Sequence, residues 1–467
     1  MKYRGYFYVG FATTLNIVLY ALTFGHYLWL EGRVRNGVFK NWGKRFRYRP
    51  KNLEQPTTEA KIAELVRSAK ELRLFGSAHS FNDGVVADDT LVSLDKFSGM
   101  LWKDLAQKRM AFKGGTRVRD VVQFLLNEGL AFKALPSHDA QSIAGILSTD
   151  VHGTGGKDWD WGFVSQAVVS LKIVDGQGFI HECTPDDDLF KAAIGGVGAV
   201  GIITEVVIQA VDRFRVKQKF EISDLSNVED NFERLLRENE HLSLYLFPFT
   251  EKCQISTWNE TKQPKTFLGP FWEFVSISWD AFSAAWAGNL IAYAGWLPRL
   301  STWAHRRKWG TDLVMESNKA FNRTIYHLHQ ELEFTVPFEK TFEMCKRFIK
   351  LYEDMYRQGL PYALFEVRFT PAGHDRTLIG AGRGRKSTWI DLVLNDSHGF
   401  EKYYAAAEDL IKEVGARPHL GKFCRQHHKG DLEKIHEENF ARFLDLARQY
   451  DPNQKFVNEF TRRIFWN

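Results

Sequence analysis

The chain has 467 residues, of which 44% are hydrophobic, 14% aromatic and 25% charged, with a formal net charge of +5 at pH 7. That length exceeds one compact core and points to two or three domains, and the ordinary balance of apolar and charged residues excludes a disordered or fibrous chain. The positive charge gathers near the N-terminus and gives no case for nucleic acid, while four scattered cysteines without a C-x-x-C pair argue against a disulfide scaffold or a cysteine metal centre.

In chain order, the first element is an apolar run. From Gly5 to Leu30 there is no Asp, Glu, Lys or Arg. Such a run spans a hydrocarbon core of ~30 Å with length to spare. It is longer than the ~7–15-residue core of a cleaved signal peptide, and it ends on bulky Tyr27, Leu28, Trp29 and Leu30 instead of a small-residue site. The expectation is a single-pass transmembrane anchor over 5–30. Lys2 and Arg4 precede it, and Arg33, Arg35, Lys40, Lys44, Arg45, Arg47, Arg49 and Lys51 follow. This asymmetry predicts that the large domain faces the cytoplasm, with the basic segment 31–50 suited to anionic headgroups.

The next block, 51–211, alternates helices and short strands. TEAKIAELVRSAKE reads as an amphipathic helix, ELRLF and LVSLDKF as strands, and TRVRDVVQFLLNEG as a helix closed by glycine. SIAGILSTDVHGTGG reads as a glycine-containing loop. AVVSLKIVDGQG and GIITEVVIQAV read as strands on either side of the helix PDDDLFKAAIGG. A second block, 212–424, carries the strands HLSLYLFPF, YALFEVRFTPA and STWIDLVLND with the helix FEKTFEMCKRFIKLYEDMYRQG. Both blocks suggest α+β domains, and the aromatic tail 425–467 has the composition to pack back onto them. Between 267 and 308, Trp272, Trp279 and Trp286 recur every seven residues and Trp296 and Trp303 follow. Glu273 and Asp280 speak against a second membrane span. Helices packed on the second domain and a surface resting on a bilayer both remain open for this segment.

Four stretches carry chemistry. In GSAHSFND, Gly76, Ser77 and Ala78 offer unhindered backbone N–H groups after a strand, a nest suited to phosphate, and His79 sits among them. Ser148, Thr149, His152, Gly153, Thr154 and Gly155 form a second such stretch, GGVGAVGIITEV a third, and ARPHLGKFC, with Lys422, a fourth. Gly196, Gly198 and Gly201 satisfy G-x-G-x-x-G, but a helix leads in and a strand leads out, the reverse of a dinucleotide-binding turn. On the strand YALFEVRFTPA, Glu366 and Arg368 share one face. Taken alone, His79 reads as an exposed turn histidine and Glu366–Arg368 as a solvated contact. His152 reads as structural or close to a pyrophosphate, and His427 and His428 as solvent-facing.

GSAHSFND, STDVHGTG, FEVRF, PHLGK and DPNQKFVNEFTRR, in that order from about Asn41 to Phe465, resemble the aldonolactone oxidase group of the vanillyl-alcohol-oxidase flavoprotein superfamily. The resemblance implies an α+β fold: a two-part, PCMH-type FAD-binding domain from 51–211, completed by 425–467, with an α+β cap domain over 212–424. It implies FAD bonded covalently through His79. Cofactor contacts would come from Gly76, Ser77, Ala78, Ser80, Ser142, Gly145, Ser148, Thr149, His152, Gly153, Gly201 and Ile202, with no metal. Catalytic roles fall to Glu366, as orienter or proton acceptor of the substrate hydroxyl, and to Arg368, which stabilises developing negative charge. Lys422 would lie by the flavin N1/C2 carbonyl region and Ser137 near N5. Leu420 stands where the family's turn has Trp. Pro136 stands where relatives have a small residue that governs oxygen access. The implied activity is oxidation of a secondary alcohol of a sugar-1,4-lactone or polyol by hydride transfer to flavin N5. The acceptor would be O2, giving H2O2, or a quinone-like molecule. A lipid-linked or amphipathic alcohol, and a non-catalytic flavin-binding membrane scaffold, stay open as alternatives.

Overall fold

The computed structural model describes residues 2–24, 32–157, 160–288, 311–322, 327–356, 359–372, 374–396 and 399–467. The last residues of the apolar run, 25–30, and the tryptophans Trp296 and Trp303 lie outside the described residues. Helix α1 (Lys2–Leu22) opens the chain. Its Val9, Ala12, Thr13 and Asn16 are buried, so one side of the helix is packed against the rest of the protein. Among the described residues no helix is long and apolar enough to cross a membrane. A three-stranded antiparallel sheet over 33–48 follows, carrying the basic residues of that segment.

A small parallel sheet comes next, with β2 (Leu72–Phe75) and β1 (Asn52–Glu54) both paired to β3 (Thr90–Ser93). Parallel neighbours need a crossover, and α2 (Glu59–Ser68) supplies the one between β1 and β2. Thr58 caps that helix by accepting from the Lys61 N–H, and Ile62, Ala63 and Val66 are buried on its inner side. A five-stranded antiparallel sheet packs beside it. It runs β7 (Ile180–Cys183), β6 (Val168–Val174), β8 (Ile202–Gln209), β5 (Arg109–Lys113), β4 (Met100–Asp104). α3 (Val118–Asn127) buries Val118, Val121, Val122 and Leu125, and stops two residues before Gly129, whose φ of 73° a residue with a side chain adopts at a cost. α4 (Ile143–Ser148) falls where the sequence reads as a loop. Ser142 caps it by accepting from the Gly145 N–H at 3.2 Å, and the burial of Ile143, Ile146 and Leu147 outweighs the cost of a glycine inside a helix. α5 (Asp188–Ala193) precedes β8 as expected.

The largest element is an eight-stranded sheet with the order β12 (Leu313–Glu316), β9 (Arg215–Asp224), β11 (Lys252–Glu260), β10 (His241–Phe247), β14 (Ala363–Thr370), β15 (Ser387–Asn395), β13 (His329–Pro337), β16 (Arg417–Pro418). Between β11 and β12 in the chain comes α6 (Gly269–Ser283). Along β14 the side chains alternate, so Phe365, Val367 and Phe369 are fully buried while Glu366 and Arg368 point to the other face. α7 (Thr341–Tyr356) and α8 (Phe400–Glu413) cover the apolar face through Phe348, Tyr352, Tyr403 and Tyr404, as the helix-covered sheet expected from the sequence requires. The polar face looks toward the cofactor-type loops.

The tail, with α9 (Lys429–His436) and α10 (Glu438–Tyr450), returns to the N-terminal block. Leu72 N–H donates to the Lys455 carbonyl at 2.8 Å. The buried Arg73 guanidinium donates to the carbonyls of Gly84, Val197 and Phe456 at 2.7, 3.0 and 2.6 Å. Asn458 Nδ2 donates to those of Asp83 and Val86. One arginine thus ties together three stretches far apart in sequence, and its burial draws its pKa down to about 10.

Candidate active site

The loop after β2 is shaped by close contact. A Cβ on Gly76 would fall 1.9 Å from the Ser142 hydroxyl oxygen, so only glycine lets the loop lie against the α4 cap. Ala78 takes a φ of 55°, which turns successive backbone groups into a concave nest. The same loop grips the turn after β16. Phe81 N–H donates to the Gly421 carbonyl at 3.0 Å, and Asn82 Nδ2 donates to the carbonyls of Leu420 and Lys422 at 2.5 and 3.0 Å. The two halves of the site are thereby held in one register.

Between them lies a cavity of about 220 Å³. All the cofactor residues expected from the sequence line it except Gly153, which lies in an adjoining crevice with Ser137, Glu366 and Arg368. Glu366, Arg368, Lys422 and Ser137 line the main cavity too, as does Pro136. His79 is no exposed turn residue. Its ring lies 5.5 Å from Trp42, nearly parallel at 27°, and 4.1 Å from the ring of His138, edge to face at 70°. Its Nε2 is enclosed without a hydrogen-bond partner, as is Nε2 of His138. Enclosure, then the nearby His138 and Arg117, hold the His79 pKa well below the usual imidazole value, so the ring is neutral at physiological pH.

The Glu366–Arg368 pair is likewise not solvated. Both side chains are only about 12–13% exposed. Arg368 Nη2 donates to Glu366 Oε2 at 2.5 Å and to Ser137 Oγ at 2.8 Å, while the Tyr245 hydroxyl donates to Glu366 Oε1 at 2.7 Å. Register explains the assembly. Tyr245 pairs with Glu366, Glu366 with Asp391, and Asp391 with Glu333, forming one polar row across β10, β14, β15 and β13.

Lys422 sits above that row. It bridges Glu331, and lies 3.2 Å from Asp391 and 3.6 Å from Glu333. Burial alone would lower its pKa, but Asp391, Glu331 and Glu333 outweigh burial and raise it. The same ammonium holds Glu331 and Glu333 below the ordinary carboxylate range against their burial, with His329 and His152 assisting. Asp391 goes the other way. Burial and the facing Glu331 push its pKa well up, against the pull of Lys422. His152 Nδ1 donates to the Gly153 carbonyl at 2.8 Å and Nε2 meets Glu333 at 3.1 Å, with the ring stacked 3.7 Å from Trp389. It is a structural member of the site.

A second chamber of about 170 Å³ adjoins the first and shares Ser137, Glu366, His329 and Glu331 with it. Its outer wall is α6, through Ile277, Asp280, Ala281 and Ala284.

Tyr245, Glu331, Glu333, Asp391, Trp42 and His138 were not singled out in the sequence. A usable signal existed for three of them: HQELEF alternates two acids onto one strand face, and Asp391 is a lone acid inside the apolar STWIDLVLN. His427 requires a correction. It is fully buried, with Nδ1 3.0 Å from Glu408, whose carboxylate also accepts from the backbone N–H groups of Arg425 and Gln426. The basic local composition hid a buried capping network. His428 is exposed as expected.

Burial also lowers the pKa values of His138, His419 and His436, to about 3, 4 and 3. Their folded values lie below the unfolded value, so the unfolded chain takes protons first. Stability is full above pH ~6.5 and falls as pH drops toward 4, each histidine contributing up to about 1.4 kcal/mol per pH unit. Thermal unfolding followed between pH 7 and pH 5 should show a steadily falling midpoint; a flat profile would contradict the burial of neutral histidines.

Residues 206–464 match the family model described as D-arabinono-1,4-lactone oxidase, and residues 50–184 match one described as FAD binding domain. Over 448 residues the chain is 26% identical to an L-gulonolactone oxidase of Mus musculus, across 92% of this chain and 98% of that protein. An L-gulono-1,4-lactone dehydrogenase of Mycobacterium tuberculosis is 25% identical over 435 residues, across 91% and 99%. Among solved structures, a cholesterol oxidase from Brevibacterium sterolicum superimposes with a TM-score of 0.76 at 15% identity, across 92% of this chain and 97% of that one. That last likeness speaks to the fold alone.

Proposed function

The chain belongs to the D-arabinono-1,4-lactone oxidase family, and from that premise we propose that it is an FAD-dependent oxidoreductase that oxidises a secondary alcohol of a sugar lactone and hands the electrons to O2 or another acceptor. The single observation that carries the reading is the chain Glu366–Arg368–Ser137 on the wall of the cavity that also holds His79, with Tyr245 bracing Glu366 from the second chamber.

The residues present fit the cofactor. The enclosed, unpartnered Nε2 of His79 and the positive-φ nest at Ala78 both lie on the cavity wall, where a ring and a pyrophosphate would meet them. The Gly76–Ser80 loop, Ser142, Gly145, Ser148, Thr149 and Gly201 would hold it, with His79 as its covalent attachment point. FAD, when bound, accepts hydrogen and two electrons from the carbinol carbon as a hydride. The protein does the rest. Glu366 orients the substrate hydroxyl and takes its proton, steered by the Tyr245 hydroxyl. Arg368, its fork fixed by Glu366 and Ser137, stabilises negative charge developing on the substrate oxygen. Lys422 supplies positive charge on the cofactor side, tempered by Glu331, Glu333 and Asp391. Buried walls exclude water from the reacting atoms.

Mixed anaerobically with L-gulono-1,4-lactone or D-arabinono-1,4-lactone, the holoenzyme should lose its visible flavin absorbance. Readmitted oxygen and a soluble quinone analogue then compete to restore it, and Pro136 leads us to expect the quinone to be faster. Failure of every lactone and alditol tried to bleach the flavin would end the reading. We also propose a membrane location with the catalytic body on the cytoplasmic side, supported by the charge-free run from Gly5 to Leu30 and the eight basic residues between 33 and 51.

A further inference from the structure

Large apolar side chains are unevenly exposed. Of the eighteen that are exposed among the described residues, eleven belong to α1, α6 and the residues that flank them. On α1 and just past it these include Phe7, Phe11, Leu22 and Phe24, the last 92% exposed. On α6 and just before it they include Phe267, Phe271, Trp272 and Phe282, with Phe267 85% exposed. Phe7, Phe11, Val18 and Leu22 are spaced by four, seven and four residues, which keeps them on one helical stripe.

The two helices are neighbours. The rings of Tyr20 and Phe274 stack at 6.2 Å, and Trp286 Nε1 donates to Thr14 Oγ1 at 3.0 Å. Several of their polar residues turn inward, with Asp280 an exception. Thr13, Asn16 and Ser276 are buried, and so is Glu273, which accepts from Gln218 Nε2 at 2.8 Å. The outward stripes are therefore apolar and aromatic, and elsewhere among the described residues the exposed large apolar side chains fall in smaller groups, the largest being Leu101, Trp102 and Leu105.

We propose that α1 and α6 form one platform that lies in the plane of an anionic lipid bilayer, its aromatic stripes sunk among the headgroups, with the mouth of the second chamber beside the lipid. The proposal rests on the membrane location put forward above, but has α1 lie along the bilayer surface where the sequence alone suggests a span, and names that surface. Two observations choose a bilayer over a protein partner. The segment from Gly32 to Leu53 holds eight basic residues and no acidic one, Arg45 among them being paired with Asp396 and Glu401, and its Trp42 packs with Ala12 of α1. Lipid of negative charge complements that segment, and Trp and Phe are the side chains that favour the headgroup boundary. Asp280, exposed near the end of α6, also lines the second chamber, so the helix that carries the α6 stripe is itself a wall of that chamber. An acceptor with a flat apolar ring, dissolved in the bilayer, would then reach the site without crossing water.

The test uses full-length, flavin-loaded enzyme floated with vesicles of phosphatidylcholine alone or with phosphatidylserine added. The wild type should float with the anionic vesicles and bind the neutral ones less. Phe11→Glu, and separately Phe271→Glu with Trp272→Glu, should each cut the floated fraction about tenfold or more. Flavin content and anaerobic bleaching by lactone should stay within about twofold, because neither stripe touches the reacting groups. Undiminished flotation of the α6 variant, with wild-type enzyme released only by detergent, would mean that α1 spans alone and would overturn the platform. Absence of flotation from a fully bleachable enzyme would overturn it too, as would dimers broken by these substitutions in place of vesicle binding. Loss of bleaching in the wild type would instead strike the proposed activity.

Discussion

Glu366→Gln should slow the reduction of the flavin by a lactone by about 10²–10⁴-fold, the range expected when a positioned proton acceptor is removed. Flavin content and fold should be kept, because the amide still accepts from the Tyr245 hydroxyl and nearly preserves volume. What changes is charge. Arg368 loses its carboxylate partner and is left largely buried, with Ser137 Oγ as a neutral neighbour. Rapid mixing under anaerobic conditions reads the step directly. An undiminished reduction rate would mean that the substrate proton leaves by another route, and the nearest candidate acceptor is Asp391 one strand away. Asp391→Asn then becomes the decisive comparison, since it nearly keeps the shape beside Lys422 and removes the capacity to take a proton.

The second large effect is all-or-none. His79→Ala should abolish flavin fluorescence that survives acid denaturation with the polypeptide, whereas wild-type enzyme should keep it. The ring is clamped between Trp42 and His138, neutral, and has one nitrogen without a partner. A neutral imidazole with a free lone pair is the form that can bond to carbon. The variant should still bind FAD reversibly, because the loop backbone and the α4 cap are untouched, so dialysis against chaotrope should strip it. Fluorescence that remains on the denatured variant would place the attachment elsewhere.

Local pattern carried much of the fold. ELRLF, YALFEVRFTPA and STWIDLVLND formed strands because β-branched and aromatic residues alternate there, and TRVRDVVQFLLNEG formed its helix up to the glycine stop. α4 escaped notice because six residues with a central glycine give too little period to read, and its stability comes from burial against the five-stranded sheet. The cavity wall was legible only through the resemblance, which singles out His79 and Glu366 with Arg368, all three of which line it; read alone, they pass for a turn histidine and a solvated pair. It was illegible where register made it. Nothing in the linear chain says that Tyr245, Asp391 and Glu333 flank Glu366, because that depends on the order of strands contributed by four separate segments. The Gly196–Gly201 run matched a phosphate-binding pattern by letter, yet leads from a helix into β8, as the order of its neighbours required.

The return of the tail sets a timetable for assembly. Arg73, buried and bonded to the Phe456 carbonyl, and Leu72, bonded to Lys455, belong to a strand made early by the ribosome but completed by residues made 383 positions later. Phe460 even forms part of the cavity wall. The nascent chain can therefore not close its pigment-binding cleft until residues 455–460 have left the ribosome, and loading of the yellow cofactor must wait for them. A chain cut after Gln454 should keep Glu366, Arg368 and Lys422 and still be colourless.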